Sequence, residues 1–305
     1  KGSSFSKSWP KTTYGPSSVE LKRVQHLSKK QPLIYESSHY RFILDSKVEP
    51  KVVKQFAVLF ETTYKYVLAL PINASAHYVE SKDKFSIYLF KNFEAYHRAG
   101  GPNGSAGVYL PRNKSIMVPM PVLGVRWDGR EWGKVKEDSN SVLSHELTHQ
   151  LTDGVNFGSW YIEGSAEYVA TTRYTHGAYH TSNGRRRAFD YVRSKDGLKD
   201  GSGRRLGGRI KLMNLEKFMN LPYSTFTGGE VNKNYGIGLL LTYYFYHQDG
   251  RGNAARIKQY IKALQQGVSE KEAQKLLLGN RTYLQLQEDF RKYCSQGGIA
   301  LEFVK

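Results

Sequence analysis

Two histidines four residues apart, with a glutamate beside the first, give this chain its clearest capacity for chemistry. Residues 145–149 read His-Glu-Leu-Thr-His. Residues four apart lie on one face of an α-helix, so His145 and His149 can chelate the same metal ion. The pattern is typical of a zinc site in which the glutamate, here Glu146, acts as general base on a metal-bound water. The alternative is a surface helix that carries two histidines by chance, on which Glu146 is an exposed side chain without a role.

Two glutamates that follow the histidine pair are candidates for a place in the same site. A catalytic zinc has three protein ligands and keeps a fourth position for water. Glu163 and Glu167 lie one helical turn apart in a second predicted helix, which runs from Ser159 to about Thr172. One of them would be the third ligand, and the other would accept a hydrogen bond from the free ring nitrogen of a ligating histidine. Gly164 has no side chain, so we expect this helix to pack closely against the first.

Local signals support a helix around the histidine pair. Ser139, Asn140 and Ser141 are residue types that cap helix N-termini, and Gly154 provides a stop. Four apolar residues at helical spacing would form its buried face: Val142, Leu143, Leu147 and Leu151. We therefore expect both histidines in the middle of a helix that packs against an apolar core.

The residues around both predicted helices resemble those of a known family. The first motif, followed at residues 160–168 by Trp-Tyr-Ile-Glu-Gly-Ser-Ala-Glu-Tyr, is similar to the gluzincin metallopeptidases, and most of all to their peptidase-MA-like group. The likeness extends over about residues 35–295 and includes residues 105–111 and 235–240. In that family the glutamate of the Glu-Gly-x-Ala helix is the third zinc ligand. The resemblance therefore implies a zincin-like fold and the ligand set His145, His149 and Glu163, with Glu167 supporting a histidine.

Two departures from the family pattern bear on the expected activity. The interval between His149 and Glu163 is shorter than in the best-known gluzincin aminopeptidases. The Gly-x-Met-Glu-Asn element, whose glutamate binds the amino end of the substrate in those enzymes, is not visible. The resemblance therefore favours an endopeptidase over an aminopeptidase. The family resemblance is also compatible with a catalytically inactive protein. The intact Glu146 counts against that alternative, because binding alone does not need a general base.

The pattern of apolar residues predicts an α+β protein in which a small mixed sheet packs on helices. Alternation predicts strands at residues 39–44 and 85–90, and a hairpin of residues 108–110 with 116–118. Helical spacing predicts a helix that begins at Pro50, followed by the zinc-binding helix pair and a helical C-terminal part. Four C-terminal helices are expected, at residues 234–247, 253–266, 269–278 and 282–294.

Composition divides the chain into four parts. They are a basic polar N-terminal arm (1–34), a zincin-like catalytic part (35–181), a basic loop-rich insertion (182–230) and a helical C-terminal part (231–305). We expect the arm to be a tail rather than a packed extended segment. Residues 182–212 hold seven arginines and three lysines against three aspartates, and residues 186–193 could be helical. These charges form either a solvated surface, the interpretation that we favour, or a basic rim of the cleft that selects anionic substrates.

Bulk composition excludes several classes of protein. With 305 residues, 39% of them apolar, the chain is long enough for a substantial core and unlike a disordered protein. It has no apolar run of about 18 residues, so we expect no transmembrane span. Cys294 is the only cysteine, which excludes an intrachain disulfide. Because Lys1 is not an initiator methionine, we expect that a segment preceded it, either an export signal that was cleaved or a stretch that was trimmed. We favour the signal, and therefore a secreted protein or one of a bacterial cell envelope.

Three other residues are candidates for a role in the site. The hydroxyl of Tyr235 would donate a hydrogen bond to the oxyanion of a tetrahedral intermediate. The alternative for Tyr235 is a place in the core of an aromatic helix. His176 and His180 are four apart, but Gly177 lies between them and the segment resembles a loop, so a second metal site there is the less favoured interpretation.

Three functions are compatible with these patterns. The favoured one is a metallopeptidase that binds one Zn²⁺ per chain and hydrolyses a protein or peptide substrate, which could be anionic. The alternative is a catalytically inactive gluzincin-like module that binds anionic cell-envelope polymers or proteins. A nucleic-acid-binding protein ranks last, because it rests only on the excess of 45 lysines and arginines over 27 acidic residues, with no specific motif.

Overall fold

Small sheets pack against helices in the computed structural model, which describes residues 8–75, 83–134, 141–199 and 201–304. The strands are β1 Thr12–Tyr14, β2 Lys22–Gln25, β3 Leu33–Glu36, β4 Tyr40–Leu44, β5 Phe85–Phe90, β6 Val108–Leu110, β7 Ser115–Pro119, β8 Val125–Trp127, β9 Trp132–Lys134, β10 Arg173–Thr175, β11 Ala178–His180, β12 Arg209–Met213 and β13 Ala300–Val304. The helices are α1 Pro50–Ala69, α2 Phe93–Arg98, α3 Ser141–Thr152, α4 Ser159–Thr171, α5 Gly184–Arg193, α6 Leu215–Met219, α7 Tyr223–Phe226, α8 Val231–His247, α9 Ala255–Gln265, α10 Glu270–Leu278 and α11 Tyr283–Gln296. The predicted α+β class is confirmed. Across these residues, no helix has the length and apolar character needed to cross a membrane.

The largest sheet has six strands in the order β2-β3-β4-β5-β7-β6. Its centre is parallel, because α1 carries the chain from β4 back to β5, and α2 lies in the connection from β5 to β7. The outer strands pair antiparallel, as β2 does with β3 and β6 with β7. The hairpin prediction is confirmed, with Val108 opposite Met117. Strand β6 is an edge of this sheet and contacts α3.

Helix α1 joins the sheet to the helix that carries the histidine pair. It begins at Pro50 as predicted. Proline lacks a backbone N–H, but at the first position of a helix that N–H would have no partner within the helix. Its buried Phe60 meets the rings of Tyr40 and Phe42 edge-on, at centroid distances of 5.2 and 5.4 Å. Each such buried aromatic stabilises the fold by about 1.5–3 kcal/mol relative to an exposed one. Because α1 also contacts α3, the sheet core fixes the position of the histidine helix.

Helix α4 packs most closely against α8, which corrects one expectation. A Cβ on Gly164 would lie 2.3 Å from the carbonyl oxygen of Gly238 and 2.4 Å from Oγ1 of Thr242. A Cβ on Gly238 would lie 3.0 Å from the carbonyl oxygen of Trp160. The prediction that Gly164 serves the contact with α3 is wrong, because the bare side of this glycine faces α8. Paired glycines let the two backbones approach, and α4 contacts α3 along another face.

The N-terminal arm is packed, so the prediction of a tail is wrong for its described residues. Strand β1 pairs antiparallel with β11, and Thr12 lies opposite His180. Strand β2 extends the large sheet by pairing with β3. The ring of Trp9 packs at a tilt against Tyr246 and His247, with ring centroids 5.2 and 4.3 Å apart. Backbone pairing thus fixes an arm whose polar composition gave no periodic signal.

The C-terminal part is helical as predicted, and it includes a strand that was not expected. Helices α8 to α11 begin and end within three residues of the predicted bounds. Strand β13 follows α11 and pairs in parallel with β12, with Arg209 opposite Ala300. Strand β12 belongs to the basic insertion, which was predicted as loop apart from the helix now seen as α5. Neither strand was predicted from the sequence, and each pairs with a partner from a distant part of the chain.

His247, at the end of α8, is enclosed by aromatic rings. Its Nε2 lies 3.0 Å from the hydroxyl of Tyr168, and its ring stacks on Tyr168 at a centroid distance of 5.8 Å. Burial lowers the pKa of His247 from 6.5 to about 4. The folded chain therefore keeps this imidazole neutral in a range where the unfolded chain protonates it. The contribution of the neutral imidazole to the free energy of unfolding is therefore fully present above pH 6.5 and is lost as the pH falls towards 4.

We expect His247→Gln to weaken the dependence of stability on pH. Between pH 7 and pH 5, the free energy of unfolding of the wild type should fall by about 2 kcal/mol more than that of the variant. Chemical denaturation at the two pH values measures this difference. His26→Gln, at an exposed position, is the control for loss of a histidine. The same pH dependence in wild type and His247→Gln would contradict the neutral state of His247.

Candidate metal centre

Helix α3 presents His145 and His149 to a cavity and turns its leucines to the core. Leu143, Leu147 and Leu151 are fully buried, as the apolar stripe predicts. His145 is also buried and His149 partly so, one turn further along the same face. The helix begins at Ser141, and the expected caps Ser139 and Asn140 lie outside the described residues.

Three donor atoms from α3 and α4 meet at one point. Nε2 of His145 lies 3.0 Å from Nε2 of His149 and 3.1 Å from Oε2 of Glu163. Nε2 of His149 lies 3.4 Å from the same carboxylate oxygen. Tetrahedral ligands about 2.0–2.1 Å from a zinc ion lie about 3.3 Å from one another. The three separations are therefore close to those that a zinc ion requires, and these residues form the one group in the described ranges that could hold a metal ion.

Glu163 and Glu167 make different contacts with the histidines. Glu163 is fully buried and faces the Nε2 atoms of both. Glu167, one turn later on α4, has Oε1 3.0 Å from Nδ1 of His145. That contact is the one expected of a residue that orients a ligating histidine. The geometry favours Glu163 over Glu167 as the third ligand, and both roles stay predictions.

Arg204 belongs to this cluster, although sequence patterns did not indicate it. Its Nη2 lies 2.7 Å from Oε1 of Glu167, and its Nε donates to Oε2 at 3.0 Å. The guanidinium lies over the ring of Tyr235, 4.9 Å from the centroid. Arg204 follows α5 in a glycine-rich part of the basic insertion, where it cannot be distinguished by sequence from its charged neighbours. The insertion is thus only in part a solvated surface.

Burial and charge act in opposite directions on the ionisable groups of the cluster. Burial alone would lower the pKa of His145, but the carboxylates of Glu163 and Glu167 outweigh it and raise that pKa to about 10. Burial alone would raise the pKa of Glu167, but Arg204 and His145 lower it to about 2. Against the same effect of burial, His149 and His145 hold the pKa of Glu163 well below its usual range. A metal ion binds a neutral imidazole, so it would compete with the proton that the two carboxylates favour on His145.

A cavity of about 650 Å³ opens beside the three donor atoms. Glu146 lines it, and Oε2 of this residue accepts a hydrogen bond of 2.7 Å from the backbone N–H of Tyr109 on the edge strand β6. The hydroxyl of Tyr109 donates to Asp153 at 2.7 Å. Val155, Phe157 and Ile162 give the cavity an apolar wall. The cavity thus combines a potential metal site, carboxylates and apolar surface.

Besides Tyr109, two further tyrosines line the same cavity, Tyr223 and Tyr235. The ring of Tyr235 is nearly parallel to that of His145, at 8° and a centroid distance of 5.8 Å. Burial, and then the negative charge of Glu163, raise the pKa of Tyr235. The hydroxyl of Tyr223, on the short helix α7, donates to Oε1 of Glu163 at 2.8 Å. Tyr235 therefore borders both the cavity and the core, and its role as an oxyanion donor stays a prediction. Tyr223 had no sequence signal.

Other residues considered from the sequence lie away from this site. His176 and His180 belong to the β10–β11 hairpin, and Oγ1 of Thr12 lies 3.5 Å from Nδ1 of His180. No metal-binding group includes either histidine in the described part of the chain. Arg185 and Arg186 on α5 line a separate groove, so the basic rim is not found at those positions.

The chain matches none of the protein families whose models were scanned, and a search of curated proteins finds no significant relative. A function must therefore be argued from the geometry and chemistry of the site.

The two glutamates should differ when each is removed. We expect Glu163→Ala to lose the metal, whereas Glu167→Ala should bind it about 10–100-fold more weakly, since a residue that orients a ligand contributes less than the ligand itself. Glu167→Gln is the matched variant, because its amide oxygen can still accept from His145. Competition with a chelator of known affinity measures each constant. Loss of metal from Glu167→Ala, with Glu163→Ala still loaded, would reverse the two roles.

Proposed function

We propose that this protein is a zinc-dependent metallopeptidase that hydrolyses internal peptide bonds, with Glu146 as general base. The main support is the triangle of donor atoms from His145, His149 and Glu163, with sides of 3.0–3.4 Å. Two imidazoles and one carboxylate are a ligand set of catalytic zinc sites, which leave a fourth position open. The adjoining cavity is large enough to take part of a peptide.

The chemistry of the donor set fits zinc, with one ion per chain. The three ligands carry one negative charge when both histidines are neutral, so a dication is not fully compensated and stays a Lewis acid. When bound, zinc lowers the pKa of a water molecule and polarises the carbonyl of the peptide bond. Glu167 would hold the imidazole of His145 through Nδ1, and Arg204 would hold Glu167 in turn.

The side chains around the cavity suit the remaining roles. Glu146 lies one position from His145, and the N–H of Tyr109 holds its carboxylate at the cavity wall. There it would take a proton from the attacking water and deliver it to the leaving amine. Tyr235, which lines the same cavity, would donate a hydrogen bond from its hydroxyl to the oxyanion. Tyr223 would orient the carboxylate of Glu163.

We expect purified wild type to contain one zinc per chain and to cleave peptides internally. Glu146→Gln should keep the zinc and the fold while its cleavage rate falls by about 10²–10⁴-fold, because only the base is removed. Zinc analysis, circular dichroism and mass spectrometry of a digested peptide library measure the three properties. Glu94→Gln, an exposed change on α2, is the matched control and should cleave like wild type.

Two outcomes would contradict the proposal in different ways. A zinc-loaded Glu146→Gln variant that cleaves as fast as wild type would exclude Glu146 as the base. Zinc-loaded wild type that cleaves no peptide in a diverse library would instead favour the non-catalytic module. Treatment with a chelator should abolish cleavage, and added zinc should restore it.

A further inference from the structure

The charges of the cavity wall are unbalanced once the proposed metal site is taken into account. Three carboxylates line the cavity, those of Glu146, Asp153 and Glu163, and no lysine or arginine does so among the described residues. The inference rests on the proposed function, in which Glu163 binds zinc and Glu146 is the base. One dication offsets those two negative charges. Asp153 is then the carboxylate that neither metal binding nor proton transfer uses.

Asp153 lies one helical turn beyond a metal-binding residue. Its backbone N–H donates to the carbonyl oxygen of His149 at 2.9 Å, so the turn of α3 continues through it. Side chains four apart on a helix have their Cβ atoms about 5–6 Å from each other. Asp153 therefore follows His149 along the same side of α3, and both residues line the cavity.

The orientation of Asp153 is fixed by an uncharged partner. Oδ2 of Asp153 accepts a hydrogen bond from the hydroxyl of Tyr109. Asp153 is partly exposed and lines the cavity. In the described ranges no lysine, arginine or histidine forms an ion pair with Asp153. A neutral hydrogen-bond donor orients a carboxylate without neutralising it. Asp153 thus has no cationic partner in the described part of the chain and is open to a cationic group that enters the cavity.

The surroundings of Asp153 suit an ammonium or guanidinium group on an apolar stem. Val155, Phe157 and Ile162 line the same cavity. Long cationic side chains bury their methylene groups on apolar surface while the charged end meets a polar partner. An anionic group in this place would face Asp153 and Glu146 without a positive side chain of the described wall to offset them.

We propose that Asp153 is a specificity-determining residue, which selects substrates with a cationic group next to the bond that is cleaved. The group is an alkylammonium or guanidinium. A lysine or arginine side chain supplies it in the proposed endopeptidase, whereas a free amino terminus in this place would make the cleavage that of an aminopeptidase. This preference is opposite to the one expected from the net charge of +18. Exposed charges are screened over about 8 Å at physiological ionic strength. The contact inside the cavity, rather than the net charge, therefore determines which substrates are preferred.

The test uses small hydroxamates, which chelate zinc and place a chosen group beside it. Three probes are compared on the zinc-loaded protein by calorimetry. Nα-acetyl-lysine hydroxamate carries a cationic side chain, norleucine hydroxamate carries a free amino group, and Nα-acetyl-norleucine hydroxamate carries neither. We expect at least one cationic probe to bind wild type about tenfold more tightly than the neutral probe, as a charge-assisted hydrogen bond allows. Which one does so identifies the source of the cation.

Two variants separate the charge of Asp153 from its hydrogen bond. Asp153→Asn keeps an oxygen that can accept from Tyr109 and removes the charge, so the ratio of affinities should fall to about one. Tyr109→Phe removes the hydroxyl and keeps the charge, so the preference should persist. Equal binding of all three probes to wild type, or a preference that Asp153→Asn retains, would overturn the proposal. Failure of every probe to bind zinc-loaded protein would instead overturn the metal-centred function on which it rests.

Discussion

The burial of like and unlike charges between α3 and α4 is the constraint on which the rest of this structure depends. His145 lies between two buried carboxylates, and Arg204 reaches one of them from a distant loop. Each of these groups would be costly to bury alone, because desolvation disfavours its charged form. Together they are mutually compensated. The same arrangement directs Nε2 of both histidines at one carboxylate oxygen, so that these three atoms could bind a single metal ion.

The framework that holds this cluster has two parts of different character. On one side, the sheet and α1 support α3 through ordinary apolar packing. On the other side, Gly164 of α4 lies against the backbone of Gly238 and the side chain of Thr242 in α8. A contact of that kind tolerates little change, since any Cβ at Gly164 would overlap backbone atoms. The position of Glu163 is therefore set by the direct approach of two helix backbones.

The sequence predicted the elements that have a strong local pattern and missed those that depend on distant partners. His145 and His149 could be placed because helical spacing alone brings them together. The α+β class and the hairpin at Val108 followed from periodicity in the same way. Arg204 and Tyr223 join the site through loops whose path only tertiary packing determines, so no local signal identifies them. Asp153 lies one turn after His149, but the spacing alone does not distinguish it from any residue at the end of a helix. The face of Gly164 was misassigned because a glycine does not indicate which neighbour it admits.

Strand pairs that join distant parts of the chain have a consequence for how this protein folds. Strand β1 pairs with residues 178–180, and strand β12 pairs with residues 300–304. Such pairs require the closure of long loops, whose entropic cost precedes the gain from the contacts. During synthesis the N-terminal arm cannot pair with β11 until the α3–α4 unit has emerged. The arm must therefore remain without its β11 partner through much of translation, and the aromatic surface at Trp9 becomes covered late, which favours slow folding with a transiently exposed apolar patch.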